Sequence, residues 1–119
     1  MEEKLRREMI RVCRWLARQN LVAATDGNLS AREGDRLLVT PSGINKLWLR
    51  AEELLWVDLE GKPEGSSGSR PTSEILLHLE AYQVRPEVRA VIHAHPPLAT
   101  ALTLAGISLL EPYLPEVVL

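Results

Sequence analysis

A chain of 119 residues with 45% hydrophobic and 25% charged side chains is long enough for one domain with its own core and too apolar to remain disordered. Its net charge of -2, with no long basic run, argues against a nucleic-acid binder, and no stretch approaches the roughly 20 apolar residues of a membrane helix. The N-terminus, MEEKLRREMIRVCRWLARQ, lacks the apolar run of a signal peptide, and Cys13 is the only cysteine. A cytoplasmic, reducing setting is therefore expected, with Cys13 a buried, inert thiol.

In chain order, Leu5, Met9, Val12, Cys13, Leu16 and Ala17 recur at helical spacing and predict an amphipathic first helix that ends near Gln19 and Asn20. The turn-forming TDGN follows, in which Gly27 can take positive φ. LSAR and RLLVT flank the turn-prone Glu33-Gly34-Asp35 and predict a hairpin. TPSG, Thr40 to Gly43, reads as a loop, and LLWVDLEGK, Leu54 to Lys62, as a strand ending in a turn. Gly61 to Arg70 is rich in Gly, Ser and Pro and is expected to be a loop within the domain. TSEILLHLEAYQ then predicts a helix capped by Thr72 or Ser73, running to about Gln83 and stopped at Arg85-Pro86. VRAVIHAH alternates as a strand, and Pro96-Pro97 opens a helix that ends at Gly106. Strands interleaved with helices, with one hairpin, predict an α/β domain over residues 1–119 with a mixed sheet.

The chemistry begins at VIHAHPP. In a strand, residues two apart share a face, so His93 and His95 converge, and Pro96 favours an extended backbone at His95. Two imidazoles can chelate Zn²⁺ at roughly 2.0–2.1 Å per nitrogen, but they are half of a tetrahedral set. Glu74 and His78 lie at i and i+4 on the preceding helix, and either can supply a third ligand. Glu74 sits in the first turn, where the helix dipole favours an ionised carboxylate; His78 lies deeper, among Leu76, Leu77 and Leu79, and reads more readily as structural.

The same helix start offers two hydroxyls, Thr72 and Ser73, beside unpaired backbone N–H groups, an arrangement that suits a phosphate or simply caps the helix. TDGN and PSG each combine glycine with a small polar residue, so that their backbone can approach an anion.

DGNLSAR, TPSG, SRPTSE and VIHAHPP, in this order and spacing, resemble the class II aldolase/adducin family, with the L-fuculose 1-phosphate aldolases as the nearest branch. The resemblance implies a three-layer α/β/α fold around a mixed, mostly antiparallel sheet and a homotetramer with active sites between subunits. It implies that His93 and His95 bind zinc, and that Glu74 is both a resting ligand and the catalytic acid/base. Asn28, Ser42, Gly43, Thr72 and Ser73 would hold the substrate phosphate, with Thr25 and Gly27 shaping the first loop. The implied reaction is reversible cleavage of a ketose 1-phosphate to dihydroxyacetone phosphate and an aldehyde. It needs no Schiff-base lysine, and none of the three lysines stands out as placed for one.

Members of that family continue further and carry a third zinc-binding histidine and a proton-donating tyrosine. Here His78 is the only other histidine and Tyr113 occupies no matching motif, so the resemblance implies the N-terminal portion of a longer enzyme. A pentulose-phosphate 4-epimerase or a sugar-phosphate dehydratase of the family would use the same parts. A non-catalytic adducin-like interaction module would keep the fold without metal, and the HxH pair with Glu74 argues against it.

Overall fold

The computed structural model describes residues 1–65, 68–108 and 110. Tyr113, with the apolar segment around it, and Ser66 and Ser67 of the Gly/Ser loop lie outside the described residues.

The first helix, α1 (Glu2–Arg18), buries Met9, Ile10, Cys13 and Leu16 on one stripe. This is the face that the helical spacing predicts. The hairpin follows as β1 (Asn28–Glu33) and β2 (Arg36–Val39), turned through Gly34 at φ +61°. A short 3-10 turn at Ala51–Glu53 leads into β3 (Leu55–Asp58). Then come α2 (Ile75–Val84), β4 (Ala90–His93) and α3 (Pro97–Leu104).

The four strands form one sheet in the order β3-β2-β1-β4, and all three pairings are antiparallel. Opposite faces of this sheet meet different helices. Leu29, Ala31, Leu38 and Trp56 pack with the buried stripe of α1, and Leu37, Val39, Leu55 and Val57 pack with Tyr82 of α2. Three layers, α1, sheet and α2, result. Strand β2 is central, and after Arg36 its Leu37, Leu38 and Val39 are apolar on both faces and buried. Among the described residues no helix is long and apolar enough to cross a membrane.

Two boundaries differ from expectation, and both bear on the site. Helix α2 starts at Ile75 with Glu74 in the N-cap position, later than a Thr72 or Ser73 cap would place it. The cause is tertiary: the segment before it is zipped to the TPSG loop, by Ser42 N–H to Arg70 O at 2.9 Å, Thr72 N–H to Thr40 O at 3.0 Å and a bridge between Pro41 and Pro71. Thr72 Oγ1 instead accepts the Glu74 N–H at 3.3 Å, closing a short turn ahead of the helix. Strand β4 pairs only as far as His93, which faces Asn28, the first residue of β1. His95 has left the ladder, and its N–H goes to Leu21 O at 2.7 Å.

Candidate active site

The site forms where β1 begins and β4 ends. Asn28 and His93 are cross-strand partners, and on the same sheet face Ser30 pairs with Val91. Gly27 makes this junction possible. Its φ is +72°, and a Cβ there would stand 2.9 Å from the His93 carbonyl and closer still to Val22 Cγ1.

A cleft of about 280 Å³ opens at this junction. It is lined by Thr25, Gly27, Asn28, Ser42, Gly43, Thr72, Ser73, Glu74 and His95, together with Asp26, Pro41 and Lys46. Of the metal and phosphate residues that the resemblance implies, only His93 is absent from this lining, and its imidazole touches the Glu74 carboxylate behind it. The backbone zipper described above is what carries Ser42 and Gly43 against Thr72 and Ser73. A larger depression of about 530 Å³ runs along Arg7, Arg11, Arg14 and Arg18 of α1 but contains no histidine.

Glu74 Oε2 accepts hydrogen bonds from His93 Nδ1, at 2.6 Å, and from the Asn28 amide nitrogen. The Asn28 amide first, and His93 after it, hold the Glu74 carboxyl below the usual carboxylate range, so it is ionised near neutral pH. The His93 and His95 rings lie 4.8 Å apart between centroids, and His95 Nδ1 is 3.9 Å from Asp26 Oδ2. The two imidazoles therefore do converge, although only one of them is in the strand.

Two imidazoles and one carboxylate are a donor set that fits Zn²⁺. Among the described residues no group of three such side chains is already spread around a common metal position. Glu74 and His93 are instead each other's hydrogen-bond partners.

His78 is fully buried, and burial pushes its imidazole down to about 4, so it is neutral. Its Nε2 meets Asn28 Oδ1, and its Nδ1 lies 2.7 Å from Ser30 Oγ. It does not approach the cleft as a further ligand.

The sequence does not single out Lys46, and the structure places it in the lining of the cleft. Its ammonium donates to Thr25 O and Ile44 O, at 3.0 Å each, and so ties the first loop to the one after TPSG. Burial lowers its pKa. The one local signal is a lysine followed directly by the apolar Leu47, Trp48 and Leu49, just after a glycine loop.

The sheet, its two covering helices and the motifs around this cleft define a class of protein. Residues 7–119 match the Class II Aldolase and Adducin N-terminal domain, and the chain belongs to that family. It is similar to the 5-methylthioribulose-1-phosphate/5-deoxyribulose-1-phosphate aldolase of Escherichia coli O45:K1, at 42% identity over 85% of this chain and 46% of that protein. The methylthioribulose-1-phosphate dehydratase of Methylococcus capsulatus is 40% identical over 89% of this chain and 52% of its own length. Among solved structures, the L-fuculose-1-phosphate aldolase from Thermus thermophilus superposes with a TM-score of 0.75 at 36% identity, over 87% of this chain and 52% of that one. The chain thus spans about half the length of the curated relatives it matches.

Proposed function

We propose that this chain carries the phosphate cleft and the metal-binding half-site of a zinc-dependent aldolase acting on a ketose 1-phosphate. The observation that supports this best is the meeting of Glu74, His93 and His95 at the mouth of a polar cleft built from two glycine loops and a helix start.

In this reading Ser42, Gly43, Thr72 and Ser73 bind the substrate phosphate through hydroxyl and backbone N–H groups, and Asn28 can add its remaining amide hydrogen. Thr25 and Gly27 shape the loop above, and Lys46 beneath it adds positive charge. His93, His95 and Glu74 would hold Zn²⁺. Bound there, Zn²⁺ supplies Lewis-acid stabilisation of the negative charge that develops on the ketone oxygen during carbon–carbon cleavage. Glu74, ionised and within reach of the substrate, takes up and returns the proton as the bond breaks and re-forms. The products are dihydroxyacetone phosphate and an aldehyde, and the working assembly is a cytoplasmic homotetramer.

The relatives broaden the substrate beyond fuculose 1-phosphate. Their names share a ketose 1-phosphate and differ in the chemistry that follows, and the dehydratase of Methylococcus capsulatus supports dehydration as the second reading. Incubating the zinc-loaded intact gene product with L-fuculose 1-phosphate and with 5-methylthioribulose 1-phosphate separates these. Release of dihydroxyacetone phosphate from either is expected; loss of water from the second without cleavage would replace the aldolase reading with the dehydratase one.

A further inference from the structure

Helix α2 buries an unexpected pair. His78 and Tyr82, one turn apart, face the sheet, while Leu76 and Leu77 are 75% and 48% exposed. A helix selected only to fill a core would place these residues the other way round. Beneath it, β1 offers Asn28 and Ser30, both buried, on the same face. The result is a continuous hydrogen-bonded chain from Tyr82 through Ser30, His78 and Asn28 to Glu74.

The direction of every bond in this chain follows from its end. An ionised carboxylate only accepts, so Asn28 must turn its Nδ2–H to Glu74 and its Oδ1 to His78. His78, neutral in its buried position, has a single N–H, which must then sit on Nε2. Its Nδ1 is left as an acceptor for the Ser30 hydroxyl, 2.7 Å away, and Ser30 Oγ in turn accepts from Tyr82, 2.8 Å away. Each hydroxyl and the His78 N–H are used once, and Asn28 keeps one amide hydrogen free for the cleft. Reversing the chain would set Asn28 Oδ1 against a carboxylate oxygen, two acceptors facing each other.

We infer that His78, set in its Nε2–H tautomer by the Asn28 oxygen and buried against Ser30, is a positioning residue that holds the Asn28 amide from behind and so aims the Glu74 carboxylate. Without His78 the Asn28 oxygen loses its buried donor, and the amide is free to swing away from Glu74. The alignment of Glu74 between its proton-carrying and metal-holding tasks would then be lost. The consequence for catalysis rests on the aldolase reading above; the tautomer does not.

Long-range proton–nitrogen correlation spectra of the metal-free chain near pH 7 are expected to show His78 with a protonated Nε2 and an unprotonated Nδ1. In Ser30→Ala the Nε2–H tautomer is expected to persist, because Asn28 Oδ1 still faces Nε2. An Nδ1–H tautomer in the wild-type chain overturns the inference, whatever the enzyme does. In the zinc-loaded intact protein, His78→Leu is expected to lower kcat by about 10–100-fold with KM little changed. His78→Gln, whose amide can still donate to Asn28, should restore much of the rate. Wild-type kcat in a folded His78→Leu protein would contradict the positioning role. An Nε2–H tautomer in a protein that cleaves no ketose 1-phosphate would support the hold on Asn28 and count against the aldolase reading alone.

Discussion

The two ends of the sheet's site-bearing edge are built differently. On one side the loops at Thr25–Asn28, Ser42–Gly43 and Thr72–Glu74 are cross-tied by backbone pairing, by the Lys46 ammonium and by the buried chain from Tyr82 to Glu74. On the other, β4 and α3 leave Ile92, Leu98 and Leu104 at 52%, 81% and 84% exposure, and α3 buries none of its residues. The candidate metal donors straddle this seam, with Glu74 on the tied side and His93 and His95 on the looser one. The difference teaches that the cleft is fixed chiefly by contacts on the tied side, while the Glu74 carboxylate is held from both, by Asn28 and by His93. The histidine side rests on the pairing of β4 with β1, on the bond from His93 to Glu74 and on one backbone bond from His95 to Leu21.

Acid should break the tied side first. His78 has a pKa of 6.5 in an unfolded chain and about 4 in the fold, so between these values the unfolded chain binds a proton that the folded one refuses. Stability therefore falls as pH is lowered from about 6.5 to about 4, by a total of about 3 kcal/mol, and this contribution changes no further below that. Glu74, with its carboxyl held low, adds a loss in the same direction at still lower pH. Urea titrations at a series of pH values read the slope, and a His78→Gln chain should lose the part above pH 4.

A pair of substitutions sharpens the contrast. Gly27→Ala forces a side chain into a +72° backbone conformation and against the His93 carbonyl, and should cost about 1–3 kcal/mol. Leu98→Ser, on the exposed face of α3, should stay within about 0.5 kcal/mol. Equal costs in the same urea titration would erase the distinction between the two sides.

Much of this architecture is legible in the sequence, because periodicity and turn chemistry act locally. The α1 stripe from Met9 to Leu16, the hairpin around Gly34, the stop at Arg85 and the proline-led start of α3 all follow from residues within a few positions of one another. The residues gathered around the cleft are legible too, through four short motifs. What escapes depends on partners far along the chain. The later start of α2 is imposed by Thr40 and Ser42, some thirty residues upstream, and His95 leaves the sheet because β1 has no residue before Asn28 to pair with it. Lys46 acquires its place only when Thr25 folds over it. His78 reads as a structural histidine among leucines, and it is buried, but its partners are Asn28 and Ser30 and the neighbouring Leu76 and Leu77 face outward. No periodicity encodes a contact between residues 28 and 78.

The central claim is that Glu74 moves the proton in a zinc-supported cleavage of a ketose 1-phosphate, and the most direct test is kcat for Glu74→Gln in the intact protein with its zinc content measured alongside. Glutamine keeps the shape and a metal-capable oxygen but cannot carry the proton. A fall of about 100-fold or more with zinc still bound is the predicted result; wild-type turnover by the zinc-loaded variant would contradict it.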